Sequence, residues 1–391
     1  MIVLKKIYLT VFVLFVGFGI AQAAPIGIDL DKLKPLTAIE YMPESEFGSM
    51  TKLVEDVPYG DKFLSFTVRL PSDFMLSMGQ EKLDIDSGAS GSLGRQVLGV
   101  VSRFISPPKE HLRSFFTLEA LELTYEISAR NWFINYVVSN GLTLEQVGAG
   151  TENEVEAIYV EIINDTTYVV RARAIKNGPR MLMARHYLPQ QFYSEDRVLQ
   201  AQIIRSFELT NKEDVGIEEL DGYGFLDQSY FRYPASWDIQ VPYIRSINRM
   251  QAIIYYNLKE DRLDGQINVF LTNKSVKTSP VKEIEFYRDK AEVEGYKLGS
   301  LIERIEATYH PDMKYGVTEV YSYIPSEYNL LDYELWFSFM EGEDYYYVMT
   351  LLTPARQADF YTWARNTEAY LITLSELRRN TEGLNYYEFI Q

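Results

Sequence analysis

The 391-residue sequence contains no cysteine and only three histidines. Without thiols there can be no disulfide, no cysteine nucleophile and no thiolate metal site, so stability must come from burying apolar surface. His111, His186 and His310 stand far apart, and no His-Glu-x-x-His helix motif is present to hold a catalytic zinc. Positive charge is also short: 38 Lys and Arg face 55 Asp and Glu, a net −17. Such a field repels phosphate backbones and anionic lipid, which argues against nucleic-acid or electrostatic membrane binding. No Gly-x-Ser-x-Gly nucleophile turn occurs, and "GSLGR" lacks the Lys-Ser/Thr of a phosphate-cradling loop. Long apolar runs are scarce too. Ile7–Ile20 is one, and no second run reaches spanning length.

What is present begins with that run. Lys5 and Lys6 precede it and Ala21-Gln22-Ala23 follows, the order of a secretory signal peptide over 1–23 with cleavage expected between Ala23 and Ala24. No cysteine follows for lipid attachment. The expected protein is therefore exported, periplasmic or otherwise extracytoplasmic, with no transmembrane span in the mature chain. Without Lys5 and Lys6 the balance is 36 basic against 55 acidic residues, or −19. An apolar content of 47%, with 30 Tyr and 21 Phe, predicts packed β-rich structure.

The most informative pattern is internal repetition. "RLPSDF" (69–74) recurs as "RYPASW" (232–237), and Gly178, Pro189 and Ser206 have counterparts in Gly342, Pro354 and Ser375. Four landmarks in one order, at offsets drifting from 163 to 169 residues, predict a duplicated domain, since solenoid repeats are far shorter. In each copy an entry strand leads to "QVLGVVSRFI" or "GQINVFLT" and then to a long helix. In copy one that helix is expected through Leu118, Leu121, Tyr125, Ser128, Trp132 and Tyr136; in copy two Ser279-Pro280 starts it. Alternating strands follow, "EAIYVEI", "TYVVRARAI" and "PRMLMARHYL" answering to "GVTEVYSYI", "YELWFSFM" and "DYYYVMTLL", with Asn177-Gly178 as a hairpin turn. A closing helix carries Phe360, Trp363, Tyr370, Leu371, Leu374 and Leu377 on one stripe.

The expected fold class is α+β: two tandem domains, each a mainly antiparallel β-sheet covered by two long helices. The expected boundaries are an extended arm over 24–60, domain one over 61–209, an acidic linker over 210–224, domain two over 225–379 and a tail over 380–391. The entry strand with Phe231, Tyr233, Pro234 and Trp237, and a last helix carrying Trp363 and Ser375, resemble the PsbP-like and DcrB-like proteins, small α+β sandwiches of photosystem II and of bacterial envelopes. Copy one departs, with Leu70 and Phe74 at aromatic positions. The resemblance implies a binding or assembly module rather than an enzyme.

The remaining lures are weighed residue by residue. Asp86-Ser87-Gly88 has the form of an aspartic-protease turn, but no second such turn exists in the chain and Lys82 and Asp84 flank it, so a Gly/Ser loop is expected and a dimeric protease is the weaker alternative. His310-Pro311-Asp312 matches a cochaperone tripeptide yet precedes an alternating strand, and a loop is expected. Tyr345, Tyr346 and Tyr347 point to alternate faces of a strand. Around the Asn177-Gly178 turn, period-two alternation puts Arg171, Arg173 and Arg180 on one sheet face, where they either bind an anionic ligand or partner or pair with neighbouring carboxylates. No catalytic, metal or cofactor residues are assigned. The expected function is a non-catalytic interaction or scaffold module with a protein partner in the cell envelope, a small-ligand carrier being the alternative.

Overall fold

The computed structural model describes residues 29–80, 95–213, 215–225, 228–240, 248–256, 264–293, 298–323 and 332–380. The first 28 residues, Asp86 with its Gly/Ser run, and residues 381–391 lie outside the described residues. No helix among those described is long and apolar enough to cross a membrane.

The first half runs α1 (Glu44–Met50), β1 (Thr51–Asp56), β2 (Phe66–Pro71), β3 (Met75–Met78), β4 (Arg95–Ile105), β5 (Phe115–Leu123), α2 (Ala129–Ser139), β6 (Thr143–Val147), β7 (Glu154–Ile163), β8 (Thr166–Asn177), β9 (Arg180–Pro189), α3 (Tyr193–Arg205) and β10 (Glu208–Leu209). The second runs β11 (Leu220–Phe225), β12 (Ser229–Pro234), β13 (Asp238–Gln240), β14 (Arg249–Tyr256), β15 (Gly265–Asn273), α4 (Pro280–Val293), β16 (Leu298–Ile305), β17 (Tyr315–Tyr323), β18 (Tyr333–Glu341), β19 (Tyr345–Pro354), α5 (Phe360–Glu376) and β20 (Arg378–Arg379). Each half holds a seven-stranded antiparallel sheet, ordered β3-β4-β5-β9-β8-β7-β6 and β13-β14-β15-β19-β18-β17-β16, and a three-stranded sheet, β1-β2-β10 and β11-β12-β20. The two orders are the same, strand for strand. Register agrees as well: Tyr168 faces Pro189 as Tyr333 faces Pro354.

Local chemistry sets these elements. Ser128 caps α2 by accepting the Asn131 N–H, and Asp359 caps α5 by accepting the Thr362 N–H. The β8–β9 hairpin turns at Gly178, whose φ of 58° favours glycine, and the Asn177 side chain binds the Phe63 and Asn211 carbonyls and the Glu213 N–H. The two sequence landmarks of the first half meet: Ser206 at the end of α3 accepts the Arg69 N–H at 2.9 Å.

Four expectations need correction. Leu118 and Leu121 belong to β5, not to the helix, which begins only at Ala129. β5 is an inner strand buried on both faces, with only Glu119 and Glu122 less buried, so its apolar residues do not alternate as those of a half-exposed strand would. "QVLGVVSRFI" (β4) has β14 as its counterpart, whereas "GQINVFLT" (β15) corresponds to β5. The expected pair of long helices per domain is a helix on each sheet face, of 11 to 17 residues, with the small sheet completing one face beside α3 or α5. The arm is also folded where described: α1 buries Phe47, β1 pairs along β2, and Lys34 accepts the Val147 N–H.

The core explains how the halves sit together. Phe66, Phe116, Leu182, Ile203 and Phe207 fill the first half between its large sheet, α3 and the small sheet. A second, larger core is continuous across both halves: Trp132, Phe133 and Tyr159 join Phe231, Trp336, Trp363 and Tyr370 in it. α2 packs against α5 at this junction. On the outer face of the second half α4 covers a small cluster around Phe270, Tyr287 and Phe339.

Candidate functional site

Arg171 and Arg173 alternate along β8, and Arg180 lies opposite Asn177 in the hairpin, so all three project from the α3 face of the sheet. Each holds its own carboxylate. Arg171 is buried and pairs with Glu156 on β7. Arg173 bonds Glu154 at 2.9 Å and also donates to the Arg205 and Phe207 carbonyls at 3.0 and 2.8 Å. Arg180 bonds Asp61 at 2.8 Å and Glu122 at 2.5 Å. An anion entering here would have to displace a carboxylate already in contact, which makes simple anion capture a poor use of this face.

One part of the face is concave. A pocket of about 240 Å³ opens where Tyr41 of the arm meets the β6–β7 turn, and Arg173, Arg205, Glu154 and Glu156 line it. Arg205 is exposed, with its guanidinium 4.6 Å from the centre of the Tyr41 ring. Gly150 has φ of 67°, and a Cβ there would lie 2.9 Å from the Glu154 carbonyl oxygen, so this turn needs glycine. With two guanidinia and two carboxylates the pocket is charge-balanced. Its chemistry suits a dipolar group such as a peptide or an amino-acid zwitterion.

A second feature was not singled out in the sequence. Met75 and Leu76 on edge strand β3 are 58% and 59% exposed, and Met50, Leu53 and Val57 around edge strand β1 are 45–54% exposed. The two edges are tied together, since the Ser72 N–H donates to the Met50 carbonyl and Lys52 Nζ donates to the Phe74 carbonyl at 2.6 Å. The equivalent strands of the second half, β11 and β13, present no exposed large apolar residue. The fold itself therefore does not require apolar residues here. The hint available in sequence was "MLSM" standing where copy two has "DIQ".

The other expected features resolve simply. His310 and Asp312 lie in the loop between β16 and β17, with 3.5 Å between Nδ1 and Oδ2, and no helix pair surrounds them. Tyr345, Tyr346 and Tyr347 are all buried, Tyr346 on the α4 face and the other two on the opposite one. Among the described residues no three His, Asp or Glu are grouped to hold a metal ion.

Neither a family model nor a curated protein matches the chain. Among solved structures it is similar to the Ran-binding protein Mog1p of Saccharomyces cerevisiae, at 10% identity and a TM-score of 0.30, over 42% of this chain and 96% of that one. It is similar to cyanobacterial PsbP (CyanoP) of Synechocystis sp. PCC 6803, at 15% identity and a TM-score of 0.29, over 44% of this chain and 98% of that one. DynU16, a protein of the dynemicin biosynthetic locus, matches at 8% identity and a TM-score of 0.13, over 67% of this chain and 79% of that one. A PsbP structure thus stands among the neighbours, while the strand order described above is what defines the fold.

Proposed function

We propose that the chain is an exported, non-catalytic interaction module that works by protein contact, as a component of an envelope or secretion assembly. The observation that carries this reading is the asymmetry between the halves: the first exposes Met75, Leu76 and Leu53 along two sheet edges that the second keeps free of exposed large apolar residues. An edge strand offers unpaired backbone N–H and C=O groups, and apolar side chains beside it suit an extended segment of a partner polypeptide. The export signal over 1–23 and the PsbP-like and DcrB-like resemblance of the entry strands and closing helix fit such a role.

The test is a photo-crosslinking residue at Leu76, compared with one at Gln240 on the equivalent strand β13. A partner crosslinked from Leu76 and not from Gln240, whose complex with the purified chain is lost in Leu76→Asp, supports the reading. Equal crosslinking from both positions, or binding unaffected by Leu76→Asp, overturns it. A second reading, a small-ligand carrier, draws on the Tyr41–Arg173–Arg205 pocket. It expects a peptide or amino acid to raise the melting temperature of the wild type and not of Arg173→Ala.

A further inference from the structure

The junction between the halves carries charge where its surroundings are apolar. Glu368 on α5 is 9% exposed and projects out of the second half into the first, facing the Ser128 backbone N–H at the start of α2. The groups that meet it come from every element around it. Lys176 stands at the end of β8, Glu152 in the β6–β7 loop and Glu126 in the β5–α2 loop. Lys176 is buried, with Nζ 3.2 Å from the Ile127 carbonyl and 3.4 Å from Glu152. Glu126 is 2% exposed and ties the first half to the linker: its Oε1 accepts the Ile217 and Glu218 N–H groups at 2.6 and 3.0 Å, while Glu218 accepts the Glu126 N–H. Arg365, one turn before Glu368 on α5, places its guanidinium 5.1 Å from the Tyr125 ring centre.

Two buried carboxyls, Glu368 and Glu126, therefore share one buried ammonium, with the exposed Glu152 at its edge. Ionising both Glu368 and Glu126 there is unfavourable, because burial penalises each charge and like charges oppose one another. Burial, with Glu152 and Glu126 adding to it against Lys176, raises the Glu368 carboxyl to about 7, and burial raises Glu126 as well.

We propose that the α2–α5 junction is a proton-linked clasp: a proton held on Glu368 keeps the halves closed on one another, and its loss loosens them. This does not depend on how the first half's apolar edge is used. The sign follows from linkage. An exposed Glu titrates near 4.5, so both open and closed states are protonated below that value and the clasp is at full strength. As pH rises toward 7 the open state loses its proton first, and above 7 the closed state bears the whole penalty. The difference of about two and a half pH units corresponds to roughly 300-fold in the opening equilibrium.

Hydrogen exchange of the full chain tests this, reading the α2 amides (129–139) after correction for intrinsic rates. Protection of α2 is expected to fall by about 70-fold between pH 5 and pH 8, since at pH 5 the open state has already lost most of its proton. In Glu368→Gln, which cannot ionise, most of that fall should disappear, the remainder coming from Glu126, whose buried carboxyl is also raised. Glu152→Gln removes a mostly solvent-exposed charge, should fold normally, and should move the midpoint to lower pH. Wild-type protection that is flat from pH 5 to 8, an undiminished pH dependence in Glu368→Gln, or an unmoved midpoint in Glu152→Gln would each overturn the clasp.

Discussion

His186 lies in the first half's core, 3% exposed, with neither ring nitrogen hydrogen-bonded and the ring edge-on to Phe74 at 5.8 Å. On the sheet it sits between Phe116 and Arg171. Burial drives its pKa down to about 3, so the folded ring is neutral at any ordinary pH. The unfolded chain takes up a proton near 6.5 and the folded chain does not, so stability is lost as pH falls from about 6.5 toward 3, by about 1.4 kcal/mol per unit and roughly 5 kcal/mol in all. Counting back from the matching prolines, the equivalent residue in the second half is Leu351, fully buried. His186→Leu should therefore be accommodated, gain about 1–2 kcal/mol at pH 7 by removing unsatisfied polar atoms, and flatten the acid limb. Urea melts at pH 7 and pH 4.5 measure both effects. A variant with the same loss between the two pH values as the wild type would show that other groups set the acid limb.

At the scale of elements, β18 and α5 are held by one buried carboxylate. Glu334 is 1% exposed and accepts from Arg356 Nε at 2.8 Å, Arg356 Nη2 at 3.1 Å, Trp363 Nε1 at 2.9 Å and Trp336 Nε1 at 3.2 Å. Glu334→Leu strands two indole N–H groups and weakens the hold on Arg356, which keeps Glu303. The expected loss is about 3 kcal/mol, with tryptophan emission shifted to the red as Trp363 loosens; a loss below about 1 kcal/mol would mean water replaces the carboxylate. None of this clamp was legible in the sequence, because Glu334, Trp363 and Arg356 come together only through the packing of α5. What was legible had a period. β7–β9 and β17–β19 alternate visibly, and α5 carries Phe360, Trp363, Tyr370 and Leu374 on a helical stripe that is buried as expected. β5 misled because burial on both faces erases alternation, and the small sheets were invisible because β2 pairs with β10 across more than a hundred residues. The arginine face was placed correctly by alternation, but its neutralising partners lie on β7, on β5 and at Asp61, where only strand register and packing could assign them.

At the scale of the whole molecule, α2 decides whether the halves are separable. Trp132, Phe133, Ile134, Asn135, Tyr136 and Val137 are all buried, and six consecutive buried residues on a helix leave no solvent face. One side of α2 rests on β6, β7 and β8 of its own sheet and another on α5 of the other half. The linker adds polar stitches, with Glu126 accepting the Ile217 and Glu218 N–H groups and Asn177 accepting that of Glu213. Residues 29–209 made alone should therefore expose an apolar helix face, bind hydrophobic dye and self-associate, although they contain a complete set of strands. The intact chain at pH 5.5, where the closed junction still keeps its proton, should unfold as one unit. Calorimetry then expects a single endotherm with calorimetric and van't Hoff enthalpies nearly equal. Two endotherms, or a calorimetric enthalpy about twice the van't Hoff value, would mean that the shared core does not couple the halves, and that each sandwich is stable with its side of the junction open to water.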